Sequence, residues 1–126
     1  MKKWFVLVVA LMLLISGCGQ NDKEKAIDYL VNGQTNDVSV IVFSNQDSDR
    51  EFVEGLLKKI QEINTSVRAD KPIQHINFYD VSVEQKFDYE KIFDLNTYPV
   101  ILVFEKNEIV LKATTPDEVV QYFEGK

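Results

Sequence analysis

The stretch "NTYPVILVF", Asn96 to Phe104, decides how the rest of the chain is arranged. Asn96 and Thr97 suit a tight turn, and Pro99 fixes φ while removing a backbone donor. Val100 to Phe104 is an unbroken apolar run, the pattern of a strand covered on both faces. A strand of that kind needs neighbouring strands in its sheet and helices above and below it.

The chain supplies them on both sides. "VSVIVFS", Val38 to Ser44, is a second strand of the same buried type. After it, "SNQDSDRE" (Ser44 to Glu51) opens a helix in which Phe52, Val53, Leu56, Leu57, Ile60 and Ile63 recur at helical spacing. Ser48 with Glu51 three residues on fits a capping box, and Asp49 in the first turn suits the helix dipole. A polar loop from Asn64 to Pro72 leads to the strand "IQHINFY", Ile73 to Tyr79, and then to a helix over about Glu84 to Asp94 with Phe87, Ile92 and Phe93 inward. Downstream, Lys106-Asn107 fits a two-residue turn because Asn tolerates positive φ. The alternating "EIVLKA" (Glu108 to Ala113) is a half-buried strand. "TPDEVVQYF" (Thr115 to Phe123) closes the chain as a helix, with Thr115 as N-cap, Pro116 at N1 and Glu118 completing a capping box. Upstream, Lys23 to Leu30 forms a short helix with Ala26, Ile27 and Leu30 on one side, followed by the turn cluster "NGQTND". The predicted order is α-β-α-β-α-β-β-α. The helical crossover makes the first two strands parallel and right-handed, and the last two form a hairpin.

The 126-residue chain is 45% hydrophobic and 27% charged, which suits one small domain. Its first 17 residues have a different character: Lys2 and Lys3, then an apolar run from Trp4 to Ile15. That run is shorter than the roughly 20 residues of a spanning helix and has the make-up of a secretory signal. It ends in "ISGC", Ile15 to Cys18, which resembles a bacterial lipobox. The resemblance implies cleavage before Cys18 and attachment of a diacylglycerol to its thiol. The expected organisation is a signal at 1–17, a lipidated tether at 18–22 and a domain at 23–126, held on the extracytoplasmic face of a cell membrane. Cys18 is the only cysteine, so a lipidated chain has no free thiol and no disulfide. Removing residues 1–17 takes away two lysines and no acid, moving the net charge from −6 to −8. Such a balance disfavours nucleic acid and disfavours lying flat on anionic lipid.

From Val38 to Phe123 the chain resembles the thioredoxin fold: "VSVIVF", a long helix, "INFYD", a helix ending in "IFDLNTYPVILVF", a hairpin and an amphipathic helix. The resemblance implies an α/β, thioredoxin-like domain with a mixed four-stranded sheet flanked by helices and a cis bond before Pro99. The tether is too short to supply the extra N-terminal strand of full thioredoxins, which leaves Ile73–Tyr79 at an open edge. It also implies that Tyr98 presents its backbone to a bound peptide. The family's redox enzymes begin the helix after the first core strand with two cysteines, where the helix dipole favours a thiolate. Here that place holds Asp47, Ser48 and Asp49. A hydroxyl does not exchange a disulfide, so thioredoxin chemistry is excluded.

Other chemistry is sparse. His75 is the only histidine and sits in a strand, where a structural role is expected. Metal-ligand spacing, a phosphate loop and a nucleophile–base pair are absent from the sequence. No cofactor, metal or small-molecule substrate is expected. The expected function is a non-catalytic, lipid-anchored binding module for an envelope or membrane protein, with Ser48, Asp49, Tyr98 and Pro99 as the partner-binding ridge. Two alternatives share these features: a surface-exclusion lipoprotein of a conjugative element that blocks the donor transfer machinery, and a docking subunit for an envelope thiol-disulfide enzyme.

The lipobox makes a direct prediction. Cys18→Ser is expected to abolish the acyl mass increment seen by intact-mass spectrometry and to release the chain from sedimented membranes. An unchanged mass and unchanged sedimentation would overturn the assignment.

Overall fold

The computed structural model describes residues 22–46 and 49–125. The elements are helix α1 (22–30), strand β1 (Val38–Ser44), helix α2 (Arg50–Asn64), strand β2 (His75–Asp80), helix α3 (Tyr89–Ile92), strands β3 (Val100–Glu105) and β4 (Glu108–Ala113), and helix α4 (Pro116–Glu124). Strand order is β2-β1-β3-β4. β1 runs parallel to β2, with Ser39 opposite His75 and Ser44 opposite Asp80. It runs antiparallel to β3, with Val38 opposite Glu105. β3 and β4 form the hairpin, with an irregularity between Val103 and Phe104. This is the thioredoxin-like arrangement expected from the sequence, and the Tyr98-Pro99 bond is cis. Among the described residues β2 forms one edge of the sheet, paired only with β1.

Side-chain alternation along β1 divides the interior in two. Val38, Val40 and Val42 face α2 and α4, where they meet Leu56, Ile60, Ile63, Val119 and Phe123. Ile41 and Phe43 face α1 and α3, where they meet Ala26, Leu30, Tyr89 and Phe93. The second layer is aromatic, with Phe43 about 5.0 Å from Tyr89 and 5.7 Å from Tyr79 between ring centres. Every residue of β1 is buried, as its composition requires.

Polar side chains fix the connections. Asn64 donates to the Ile73 carbonyl and accepts from the Ile73 N–H, at 2.9 and 2.7 Å, so its amide ties the end of α2 to the approach of β2. The Lys112 ammonium donates to the carbonyls of Phe93 and Asp94, tying β4 to the end of α3. Both ring nitrogens of the lone histidine have partners: His75 Nδ1 lies 2.7 Å from Ser39 Oγ and Nε2 lies 3.3 Å from Asn77 Nδ2. The Ser39 hydroxyl is fully buried and also accepts from Gln34.

Four local expectations are corrected. The helix expected over Glu84 to Asp94 is confined to Tyr89–Ile92. Asp80 captures the segment that would have started it: its carboxylate accepts from the Ser82 N–H and hydroxyl, and its carbonyl accepts from Gln85. Local side-chain bonds of this kind compete with helix formation. Helix α2 starts one residue later than a Ser48 cap requires. Asp49 is the N-cap, accepting from the Glu51 N–H at 3.0 Å, which places Glu51 at N2 and leaves no capping box. Ser48 and Asp47 lie outside the described residues. In the hairpin turn the positive φ falls on Lys106, at 56°, rather than on Asn107. The Lys106 N–H donates to Asp37 and its carbonyl accepts from Gln34, which holds that conformation. At α4, Thr115 occupies the cap position without a side-chain cap bond. Glu118 instead accepts from the Thr114 N–H and from the hydroxyls of Thr114 and Thr115.

The position of the α2 cap is testable. Asp49→Ala is expected to cost about 0.5–2 kcal/mol in a denaturant titration, the usual loss for an N-cap, and Ser48→Ala distinctly less. The reverse order would restore Ser48 as the cap.

Candidate functional site

The carboxyl end of β1, the start of α2 and the turn before β3 meet at one end of the sheet. Open α/β sheets bind their ligands at such ends. Val42 and Ser44 close β1, Asp49 and Phe52 open α2, and Tyr98-Pro99 leads into β3. Together they line a shallow cleft of about 60 Å³. Of the four candidate ridge residues, the structure brings Asp49, Tyr98 and Pro99 together, and Ser48 lies outside the described residues. Pro99 lines the cleft with the buried Val42 and half-buried Phe52, giving it an apolar floor.

Polar groups stand at its rim. Ser44 donates to the Gln46 carbonyl at 2.9 Å, fixing the chain as it leaves β1. The Tyr98 hydroxyl donates to the Glu90 carboxylate at 2.6 Å. Burial, followed by that hydrogen bond and by the negative charges of Glu90 and Asp88, pushes the Tyr98 phenol up to about 12. It therefore remains a neutral donor across the physiological range. Asp49 is engaged with the backbone of its own helix. The cleft presents an apolar floor, a held phenol and a carboxylate at a helix start. That set suits contact with a peptide or protein surface, and among the described residues its lining pairs no nucleophile with a base. Among the described residues there is no cluster of three or more metal-ligating side chains.

Sequence reasoning missed Phe52, Val42 and Glu90. Phe52 belongs to a helical apolar pattern that gives no sign of which member lies at the open end. Glu90 precedes Tyr98 by eight residues in an unrelated element, so no local signal joins them. Larger hollows lie outside this cleft, two of them of several hundred Å³. One of about 450 Å³ is bordered by Asn36, Asp37, Arg68 and Lys106 at the opposite end of β1, and one of about 660 Å³ lies beside α1.

Comparison with known proteins bears on the architecture. No family model matches the chain, and no curated protein matches it. Among solved structures, a designed protein is similar at 18% identity and a TM-score of 0.51, over 81% of this chain and 89% of that one. Thioredoxin from Malassezia sympodialis shares 15% identity at a TM-score of 0.48, over 73% of this chain and 76% of its own. Thioredoxin from Fasciola hepatica shares 12% at 0.48, over 76% and 89%. Likeness at such identities concerns the fold alone.

The Tyr98–Glu90 bond has a pH signature. Tyr79, Tyr89 and Tyr98 all hold their protons more tightly than an ordinary tyrosine, chiefly through burial. Below the unfolded value of about 10 both states are protonated and this contribution is complete; as pH rises from there, the unfolded chain loses protons first and stability falls. Tyr98→Phe is expected to make that alkaline decline shallower, measured by denaturant titration at about pH 9 and about pH 11. An unchanged decline would mean that the phenol is not held.

Proposed function

We propose that this chain is a lipid-anchored, extracytoplasmic protein-binding module whose thioredoxin-like domain has no thiol chemistry of its own. The observation that carries the reading is the cleft at the end of β1. The cis Tyr98-Pro99 ridge stands beside the start of α2, but the α2 start supplies the Asp49 cap where a thiol enzyme needs a sulfur nucleophile. The chain's single cysteine, Cys18, lies in the lipobox-like segment far from this place in sequence. The Asp49 carboxylate takes one of the orphan N–H groups of α2, that of Glu51, at the place where a thiolate would otherwise be stabilised, which supports recognition rather than reaction. The apolar floor and polar rim resemble in miniature the layout of protein-binding surfaces. The lipid anchor is supported by the ordered basic, apolar and "ISGC" segments of the first 18 residues. A partner is then an envelope or membrane protein within reach of a short tether.

Two measurements test this reading. Insulin reduction by dithiothreitol in the presence of the detergent-solubilised full chain is expected to match the rate without protein, because no cysteine stands at the start of α2. Tyr98→Ala combined with Ser48→Arg, which spares the Asp49 cap, is expected to abolish co-purification with envelope proteins while membrane location and unfolding cooperativity are retained. A reduction rate above the control would overturn the non-enzymatic reading. Loss of binding only on substitution along β2 would move the partner surface to the sheet edge.

A further inference from the structure

The hollow of about 660 Å³ beside α1 gathers three lysines in an acidic molecule. Lys23 from the start of α1, Lys86 from the segment before α3 and Lys91 from α3 itself converge on its walls, with Phe87 and Ile92 between them. These lysines come from two places some 60 residues apart in a chain of net charge −6. Among the described residues the ion pairs involve only Arg50 and Lys59 as cations, so none of the three ammonium groups is matched by a carboxylate. Lys86 rests over the Tyr29 ring, 4.8 Å from its centre, and 5.9 Å from that of Phe87. Two carboxylates also border the hollow. Asp88 is turned to α3, accepting from the Lys91 N–H as its cap, and Asp22 stands at the start of α1.

The position of the hollow identifies its occupant. Asp22 borders it, and Cys18 lies only four residues earlier, which is at most about 14 Å of extended chain. If Cys18 carries the lipid, this face of the domain is held against the headgroup layer. We propose that the Lys23–Lys86–Lys91 hollow is the membrane-facing surface of the domain and takes the phosphate headgroups of anionic phospholipid. This inference rests on the lipid-anchored reading above. Three unpaired ammonium groups complement the phosphates, and half-buried Phe87 and Ile92 meet the apolar margin of the interface. The contact orients the domain rather than retaining it, since the remaining surface is acidic. The Tyr98-Pro99 cleft is then presented at a fixed attitude to the bilayer.

Amine-reactive labelling of the full chain, reconstituted in phosphatidylglycerol or phosphatidylcholine vesicles and read by peptide mass spectrometry, tests the proposal. Labelling of Lys86 and Lys91 is expected to be about fivefold lower in phosphatidylglycerol, the ratio equivalent to ~1 kcal/mol per basic residue at an anionic surface. High salt should remove the difference. Lys58, on α2 across the sheet, serves as the internal reference and should label equally in both. Lys91→Glu should restore labelling at Lys86. Equal labelling of Lys86 and Lys91 in the two lipids would overturn the proposal. Equal protection by inorganic phosphate without vesicles would replace the membrane with a free anion and overturn it as well. Intact mass on the same sample separates the two levels. A missing acyl group defeats the anchored reading and this inference together, whereas an acylated chain with unprotected lysines defeats this inference alone.

Discussion

Burial of β1 on both faces is the constraint on which the rest of the structure depends. Each of its large apolar side chains contributes about 1.5–3 kcal/mol when removed from water, but only if both faces are covered. One face therefore requires α2 and α4, and the other requires α1 and α3. The backbone groups of β1 cannot be left unpaired in such surroundings, so β2 and β3 must flank it. The parallel β1–β2 pair in turn needs a crossover, which α2 provides. Four helices, the strand order and the position of the sheet ends all follow from one seven-residue strand.

That arrangement also sets what the carboxyl end of β1 can do. Leaving the sheet, the chain turns at Ser44 and enters α2 at Asp49, directly beside the cis Tyr98-Pro99 turn. Related folds use this meeting point for thiol chemistry because a helix N-terminus stabilises a thiolate. Here an aspartate side chain takes up the same positive end of the dipole. Tyr98 is drawn the other way, toward Glu90, and becomes a fixed wall of the cleft. The proposed recognition role is consistent with groups that are all committed to holding shape.

Where sequence and structure part, the cause is competition between nearby groups of similar strength. Ser48 and Asp49 are both good caps, and pattern alone does not rank adjacent cap residues. Phe87, Ile92 and Phe93 have helical spacing, yet Asp80 binds the segment beginning at Ser82 before a helix can form. Asn107 is the better residue for positive φ in isolation, but hydrogen bonds from Gln34 and to Asp37 place that conformation on Lys106. In each case the deciding partner is one that propensity does not weigh.

The sequence by itself determined the strands, the parallel crossover and the hairpin, because hydrophobic period and turn chemistry are local and strong, whereas the sheet order and the cis bond before Pro99 were implied by the resemblance to the thioredoxin fold. The sequence also showed that Asp47, Ser48 and Asp49 stand where the redox enzymes of this fold carry two cysteines, which is the ground for the proposed non-catalytic role. The tertiary structure decided which residues meet. Phe52 and Val42 become the floor of the cleft, and Glu90 the partner of Tyr98, only because α2, β1 and the α3 segment converge at one sheet end. The same holds for charge: the sequence shows an acidic chain, and only the packing of α1 against α3 gathers Lys23, Lys86 and Lys91 into one basic hollow. Net charge is a sum over residues, whereas a binding surface depends on distances that the fold alone sets.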